Sequence, residues 1–253
     1  MKIEESRILI TGGAGALGMA FAFDLASRGA RVMAGDASTE ALDRLRVEAQ
    51  DHGLDIAVHQ ADVTNEVQVE DLLNGCRERL GGVDILINNA GVAEDGLLVK
   101  QTAEGVEKFS FERWQRVVDI NVNGVFLCGR EAAAVMVEQG TGGLILNISS
   151  VSRHGNRLQS AYTATKAAVA AVTVVWAKEL ARHNIRAAAL APGYLDTPLT
   201  RNIPSKFLEI IMSDQIPLGR LGEIGEAAHA VRFIIENDYF NGRVLDLDGG
   251  LRY

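Results

Sequence analysis

The chain has little sulfur and little proline. Its 253 residues include only two cysteines, Cys76 and Cys128, and only four prolines. Two cysteines with neither CxxC spacing nor a nearby histidine exclude a disulfide framework, so we expect buried or half-buried free thiols. We find no proline-rich linker and no internal repeat, and we therefore predict one domain spanning residues 1–253.

An excess of positive charge is also lacking. Lys and Arg number 25 against 33 Asp and Glu, which gives a net charge of −8. An acidic chain is a poor partner for nucleic acid, because phosphate binding needs a basic face. The first residues lack the apolar stretch of a signal peptide, and the longest apolar run, near residues 167–177, is too short to cross a bilayer. We expect a cytoplasmic protein with no membrane partner.

Short apolar strands alternate with helical stretches along the whole chain. Strands are predicted at 7–10, 31–34, 56–59, 84–87, 144–148, 186–190 and 243–247. The helices between them are predicted at 19–27, 38–52, 65–80, 111–138 (with a break near Gly124), 160–183 and 226–236. This alternation predicts an α/β fold of the Rossmann type, doubly wound, with a mainly parallel seven-stranded sheet and helices on both faces. Ligands bind such sheets beyond the carboxyl ends of the strands.

A glycine-rich turn follows the first strand. Residues 13–18 read Gly-Ala-Gly-Ala-Leu-Gly and match GxGxxG between a strand and a helix. Glycines there permit a tight turn and a close approach of the backbone to a pyrophosphate, which sits at the helix N-terminus. A purely structural turn gives the same pattern, so the motif alone leaves both interpretations open.

Asp36 stands at the end of the second predicted strand, where it bears on the choice of cofactor. A carboxylate at this place accepts hydrogen bonds from the adenosine ribose and repels a 2′-phosphate, which favours NAD(H) over NADP(H). No arginine follows Asp36 directly to reverse that preference. The alternative is a solvated turn residue or a helix N-cap.

Tyr162 and Lys166 are four residues apart in a predicted helix and therefore share one face. A phenol has a pKa of about 10, too high for a good acid–base group at neutral pH, and a nearby ammonium lowers that pKa. The ammonium can also donate hydrogen bonds to ribose hydroxyls. An isolated pair of this kind is also compatible with a packed tyrosine beside a solvated lysine.

Further motifs accompany this pair in a fixed order along the chain. They are Thr11-Gly12 to Gly18, Asp62-Val63, Asn88-Asn89-Ala90-Gly91, Asn121-Val122-Asn123-Gly124, Ser149-Ser150, Tyr162 to Lys166, and Pro192-Gly193 with Thr197. Taken together, they resemble the short-chain dehydrogenase/reductase family, and the resemblance covers essentially the whole chain.

The resemblance implies roles for particular residues. Tyr162 would be the general acid in reduction and the general base in oxidation, and Ser150 would polarise the carbonyl. Lys166 would lower the pKa of Tyr162 and bind ribose, and Asn121 would hold a water in a proton relay. Hydride would move directly between nicotinamide and substrate, with no metal. The implied cofactor-binding residues are Gly12, Gly15, Leu17, Gly18, Asp36, Asp62, Val63, Asn88, Ala90, Gly91, Tyr162, Lys166, Pro192, Gly193, Leu195 and Thr197.

Two details depart from the family pattern. Ala16 replaces the middle glycine of TGxxxGxG, and we expect cofactor binding to survive because glycines flank it. The usual spacing to Tyr162 selects Ser149 as the catalytic serine, whereas alignment along the strand selects Ser150 and implies a one-residue deletion in the loop. The two-residue alternation of a strand favours Ser150, and Ser149 stays the alternative.

Substrate recognition falls in two variable stretches. Residues 92–110 form a longer segment than is usual in the family, and residues 198–216 have the composition of a lid over the substrate. The apolar residues of that lid suit an acyl chain or a flat apolar substrate, although packing on the core is the alternative. The C-terminal half resembles that of family members acting on 3-oxoacyl and 3-hydroxyacyl thioesters.

We therefore expect NADH-dependent reduction of a 3-oxoacyl thioester carried on acyl carrier protein or coenzyme A. The alternatives are an NAD-dependent dehydrogenase of another secondary alcohol (a sugar, steroid or xenobiotic) and a non-catalytic NAD-binding regulator. Residues 167–176 are apolar nearly all round, which predicts a helix buried on all sides. The family pairs this helix and the one near Asn121 across a two-fold axis, which implies a homotetramer.

Overall fold

Nine strands are present in the computed structural model, which describes residues 1–251 without the side chain of Leu199. They are β1 (Arg7–Thr11), β2 (Arg31–Asp36), β3 (Ile56–Gln60), β4 (Ile85–Asn88), β5 (Val99–Thr102), β6 (Gly105–Lys108), β7 (Gly143–Ile148), β8 (Ile185–Pro192) and β9 (Val244–Leu247). Seven of them form one parallel sheet in the order β3-β2-β1-β4-β7-β8-β9, whereas β5 and β6 form a separate antiparallel pair.

The helices connect these strands and cover both faces of the sheet. They are α1 (Ala16–Ala26), α2 (Thr39–Asp51), α3 (Glu66–Leu80), α4 (Phe111–Val118), α5 (Val125–Gln139), α6 (Ser160–Glu179), α7 (Pro198–Arg201), α8 (Ser205–Ile210) and α9 (Ile224–Glu236). Wider π turns occupy Asp119–Gly124 and Ile211–Gln215, and short 3₁₀ turns occupy Val151–His154 and Ala181–His183. The predicted α/β fold with a seven-stranded parallel sheet is confirmed.

The strands are apolar on both faces because helices cover both. In β1, Ile8 and Ile10 pack in the core beneath α1, α2 and α9, whereas Leu9 packs in the core beneath α3 and α5. A strand buried on both sides reads as a continuous apolar run, which is how the sequence presents it. Both cysteines lie in the core beneath α3 and α5 as free thiols, as predicted, and burial raises the pKa of each to about 12.

A chain of buried polar side chains joins the sheet to α6. The amide nitrogen of Asn88 on β4 donates to Asn147 Oδ1 on β7 at 2.9 Å. The amide nitrogen of Asn147 donates to Thr173 Oγ1 on α6 at the same distance. Hydrogen-bonded polar groups in a dry core strongly favour one arrangement of the elements that carry them. These contacts therefore set the position of α6 relative to the middle of the sheet.

The structure differs from the sequence prediction in three places. The helix predicted at 111–138 with a break near Gly124 is instead divided by the π turn Asp119–Gly124, which ends at that glycine. The long segment 92–110 contains the antiparallel pair β5–β6, which was not predicted. The helix predicted to be buried on all sides leaves Val175 48% exposed. By length and apolar composition, the described helical stretch Phe111–Gln139 could span a bilayer, a criterion that helices in protein cores also meet.

Candidate active site

A cavity of about 530 Å³ lies at the carboxyl ends of the strands. It opens where the strand order reverses between β1 and β4, the position at which doubly wound sheets bind nucleotides. Its walls come from the loops after β1, β2, β3 and β4, from the π turn Asp119–Gly124 and from the segment after β8. The lining residues are Gly12, Gly15, Ala16, Leu17, Asp36, Ala37, Ala61, Asp62, Val63, Asn89, Ala90, Gly91, Val92, Ile120, Thr197 and Pro198.

The glycine-rich turn is built for the close approach of a ligand. Gly12 has a φ of 60°, and a Cβ there would lie 2.8 Å from Ala90 Cα, so only glycine fits. A Cβ at Gly18 would overlap the carbonyl oxygen of Gly12. Gly15 is the N-cap of α1, and no side chain caps the helix there. Backbone N–H groups at an uncapped N-terminus bind anions, so the turn fits the pyrophosphate of a dinucleotide.

Asp36 lies at the cavity wall, at the end of β2, as predicted. Its carboxylate accepts hydrogen bonds from the backbone N–H of Ala14 at 3.2 Å and of Ser38 at 3.0 Å. These contacts hold a negative charge beside the turn. Asp62 and Val63, which follow β3, also line the cavity. The carboxylate of Asp62 accepts hydrogen bonds from the N–H and the hydroxyl of Thr64.

The residues of the motif at the end of β4 that line the cavity are not all the ones predicted. Asn88 was predicted to line the cavity, but it is 2% exposed and its side chain points to Asn147 in the core. The correction follows from strand alternation, because Asn88 shares the face of buried Leu86. Its neighbour Asn89 lines the cavity instead and donates to the carbonyl oxygens of Thr11 and Gly12. Ala90 and Gly91 lie on the wall as predicted.

Tyr162 lies in the first turn of α6 and pairs with Ser150. Burial raises the pKa of Tyr162, its hydrogen bond with Ser150 lowers it, and the negative charge of Asp95 raises it further, so the pKa is raised overall. The Ser150 oxygen also accepts from the N–H of Ser152 at 3.1 Å. A serine in this position can donate to the same carbonyl oxygen that a tyrosine protonates.

Lys166 is buried one turn further along α6. Its ammonium lies 5.6 Å from the centre of the Tyr162 ring and donates to the carbonyl oxygen of Ile148 at 2.7 Å. Burial lowers the pKa of Lys166 to about 8. The lysine was expected to lower the pKa of Tyr162, but burial dominates in this structure and the net direction for the tyrosine is upward.

Ser149 has a different environment from Ser150. It is 1% exposed, and its hydroxyl donates to the backbone carbonyl of Lys166 at 2.8 Å. That bond ties the end of β7 to α6. The structure therefore brings Ser150 to the tyrosine and places Ser149 between the two elements, in agreement with the preference from strand alternation.

Asn121 lies inside the π turn and is fully buried. Its amide group exchanges two hydrogen bonds with the backbone of Val92, at 2.9 and 2.8 Å, and donates to Thr165 Oγ1 at 3.2 Å. A Cβ built on Gly91 would lie 3.3 Å from Asn121 Oδ1 and 3.4 Å from Lys166 Nζ. The nucleotide cavity, Asn121 and Lys166 therefore meet at Gly91, and π turns are frequent at such functional sites.

In the segment after β8, the residues that line the cavity lie at the end of the predicted stretch. Thr197 and Pro198 line it, and Thr197 caps α7. Pro192 and Gly193 do not line it, and a Cβ at Gly193 would lie 2.9 Å from Asp248 Cα. Leu195 is 4% exposed and packs in the core. These three residues shape the path of the chain toward Thr197, and their contacts with the cofactor stay predictions.

Several residues of the site were not singled out from the sequence. Asn89, Ile120 and Val92 line the cavity, although only Asn89 lies in a recognised motif. Asp95 and Gln159 lie beside Tyr162, and the amide of Gln159 donates to Asp95 at 3.1 Å. No sequence signal marks this pair, because its members are far apart in the chain and meet only in the folded protein.

Comparison with known proteins agrees with this geometry. The family model of short chain dehydrogenases matches residues 6–207. The 3-oxoacyl-[acyl-carrier-protein] reductase of Thermotoga maritima is 38% identical, with 99% of each chain covered. The type-2 3-hydroxyacyl-CoA dehydrogenase of Bos taurus is 37% identical over 96% of this chain and 94% of its own. The crystal structure of a levodione reductase superposes with a TM-score of 0.89 at 33% identity, over 98% and 97% of the two chains.

The chain belongs to the short-chain dehydrogenase/reductase family, and it is an oxidoreductase of that family. Family members generally use a nicotinamide cofactor, and the turn, the uncapped helix and the cavity fit one. The individual roles of Asn121, Ser150, Tyr162 and Lys166 stay predictions, and so do the individual cofactor contacts.

Proposed function

We propose that the chain reduces a 3-oxoacyl thioester, on acyl carrier protein or coenzyme A, with NADH as the hydride donor. The observation that carries the proposal is the pairing of Ser150 with Tyr162 at the end of β7, next to a nucleotide cavity with Asp36 on its wall. The substrate class is supported by relatives at 38% and 37% identity that are named for 3-oxoacyl and 3-hydroxyacyl thioesters.

The choice of NADH rests on charge. The carboxylate of Asp36 accepts hydrogen bonds from Ala14 in the turn and from Ser38 after β2, and a second anionic group beside it is disfavoured. The ribose of NADH brings hydroxyl donors to this place, whereas NADPH brings a phosphate. No arginine lines the cavity to offset the carboxylate among the described residues.

The chain's own residues then have distinct tasks. When bound, the cofactor supplies the hydride that reduces the carbonyl carbon. Tyr162 holds a proton throughout the neutral range, because its pKa is raised, and it delivers that proton to the substrate oxygen. Ser150 orients the carbonyl. Lys166 carries a positive charge below pH about 8 near the ring of Tyr162, which favours the phenolate left after proton transfer. Asn121 holds Val92 in the wall of the cavity.

The test is the reduction of acetoacetyl-CoA followed at 340 nm with each cofactor. We expect NADH to be preferred, and replacement of Asp36 by Asn to raise the NADPH:NADH ratio of kcat/KM at least about ten-fold, since that factor needs only about 1.4 kcal/mol of relieved repulsion. Asp62→Asn is the matched control, a carboxylate on the same wall whose neutralisation leaves the ratio unchanged. A strong preference of the unaltered protein for NADPH would refute the cofactor assignment.

A second candidate function is the oxidation or reduction of a cyclic secondary alcohol or ketone. It is favoured by the close structural match to a protein named levodione reductase. A panel of ring ketones and 3-oxoacyl thioesters, compared by kcat/KM, separates the two. Turnover of ring ketones without turnover of thioesters would select this candidate. NADH binding without turnover of any carbonyl would instead indicate a regulatory protein.

We also propose a homotetramer in the cytoplasm. Apolar side chains remain exposed on α5 and α6, among them Phe126 at 51% and Val175 at 48%. Such side chains on neighbouring helices are typical of surfaces covered by another subunit. Light scattering combined with size-exclusion chromatography tests the assembly, and a mass near the monomer's 27.2 kDa would contradict it.

A further inference from the structure

The ribbon formed by β5 and β6 stands out from the rest of the molecule. Its strands pair Val99 with Lys108 and Gln101 with Val106, so these four side chains share one face. Both valines are more than half exposed, Val99 at 57% and Val106 at 61%. A two-stranded ribbon with both faces in water is marginally stable on its own, so covering its two exposed valines stabilises it.

The base of the ribbon is fixed in place. Glu94 accepts hydrogen bonds from Arg113 at 3.0 Å and from Arg116 at 2.9 Å, both on α4. A Cβ on Gly96 would lie 2.8 Å from the ring of Phe109, so ring and backbone are in close contact. Arg113 stacks over the same ring at 4.9 Å. The ribbon therefore projects from an anchored base.

The base is also joined to the start of the helix that carries Tyr162. The N–H of Gly96 donates to the carbonyl oxygen of Leu158 at 2.8 Å, and Gly96 forms a parallel bridge with Gln159. Gln159 in turn donates to Asp95. Tyr162 follows three residues later, so the ribbon begins at the wall of the candidate active site.

Leu158 marks this junction. It has a φ of 75°, a conformation that costs free energy for any residue with a side chain, and it is 41% exposed. Strained backbone conformations cluster at active sites and ligand clamps. Leu97, which precedes β5, is 40% exposed. Exposed apolar side chains are therefore present at both Leu158 and Leu97, near the base of the ribbon.

We propose that the ribbon face that carries Val99 and Val106, beside Gln101 and Lys108, binds together with Leu97 and Leu158 at its base the apolar tail of the substrate beyond the reacting carbonyl. The inference rests on the proposed function and specifies its substrate class as thioesters with medium or long acyl chains. Each methylene that reaches the ribbon contributes about a four-fold gain in kcat/KM, the factor expected for burying one methylene.

The test compares two matched double variants of the full chain. Val99→Ser with Val106→Ser removes the apolar face, whereas Lys100→Ser with Glu107→Ser changes the opposite face of the same strands, where these residues pair at 4.0 Å. Thermal unfolding and NADH binding, followed by its fluorescence, establish that both variants are folded. The measurement is kcat/KM for 3-oxoacyl-CoA substrates from four to twelve carbons.

In the valine variant, we expect the ratio of kcat/KM for the twelve-carbon substrate to that for the four-carbon substrate to fall about ten-fold. Its kcat/KM for the four-carbon substrate is expected to stay within about two-fold of the unaltered protein. The Lys100/Glu107 variant is expected to keep both values within about two-fold. Equal ratios in all three proteins, or no length dependence in the unaltered one, would overturn the proposal with the thioester function intact. If no thioester is reduced, the proposed function fails, and 2-alkanones of the same lengths decide the role of the ribbon by the same ratios. No turnover in either series overturns both.

Discussion

Replacing each of two adjacent serines by alanine separates turnover from stability. Ser149 donates to the backbone of Lys166 from a buried position, and Ser150 pairs with Tyr162 and accepts from the N–H of Ser152. Each replacement removes one side-chain hydroxyl group at the end of β7. The two variants therefore serve as controls for each other.

The expected magnitudes follow from these partners. Loss of the buried Ser149 bond costs about 1 kcal/mol, and loss of the Ser150 bond to Ser152 costs a similar amount, so both variants lower the melting temperature by about 2 to 4 °C. Turnover separates them. Removing a donor to the reacting oxygen typically costs about 10²- to 10³-fold in kcat, which is the expected fall for Ser150→Ala. Ser149→Ala is expected to keep kcat within about three-fold, since no hydrogen bond to the reacting group is lost.

The assay is steady-state reduction of acetoacetyl-CoA with NADH, alongside thermal unfolding by circular dichroism. NADH binding is measured for both variants, so that a fall in turnover is assigned to the chemical step. If Ser149→Ala abolishes turnover and Ser150→Ala does not, the pairing with Tyr162 is not the functional one. In that case the spacing along the chain, not the alternation of the strand, would identify the serine.

Two further predictions concern pH and the glycine-rich turn. Reductive kcat is expected to fall as pH rises through about 8, because Lys166 is protonated below that pKa and neutral above it, while Tyr162 with its raised pKa stays protonated across the range. A pH–rate profile checks this, and a profile flat to pH about 9.5 contradicts it. Gly18→Ala is expected to weaken NADH binding at least about ten-fold, because the new methyl group overlaps backbone, whereas at Gly15 a methyl meets its nearest atom at 3.3 Å and has a smaller effect. Fluorescence titration with NADH measures both, and equal affinities would refute the steric explanation.

Features read from local patterns were predicted well. The glycine-rich turn, Asp36 and the Tyr162–Lys166 pair each depend on a few neighbouring residues, and the structure places all of them at one edge of the sheet. The alternation of apolar strands and helices likewise predicted the parallel sheet, since each strand needs helices on both faces. In all these cases the chemistry of a short segment sets its own conformation.

Features that depend on distant contacts were not predicted. Asp95 meets Gln159 across 64 residues, and the π turn around Asn121 is matched to Val92 on another loop. The ribbon was visible only as extra length, although its Gly105, with a φ of 135°, is typical of a tight turn. Asn88 is the opposite case, because its position could have been predicted from the sequence. Alternation of side chains along β4 places Asn88 on the same face as Leu86, in the core.

Lys166 has a consequence for how such a protein is altered. The residue is fastened twice to the end of one strand, through its ammonium to Ile148 and through its carbonyl to Ser149. Neither contact involves the ribbon or the lid at 198–216. Exchanging the strands of the ribbon, or the lid beyond Pro198, for those of a relative is therefore expected to leave both fastenings of Lys166 in place. Grafting of these segments is then a route to new substrate preferences that starts from an unaltered frame around Lys166.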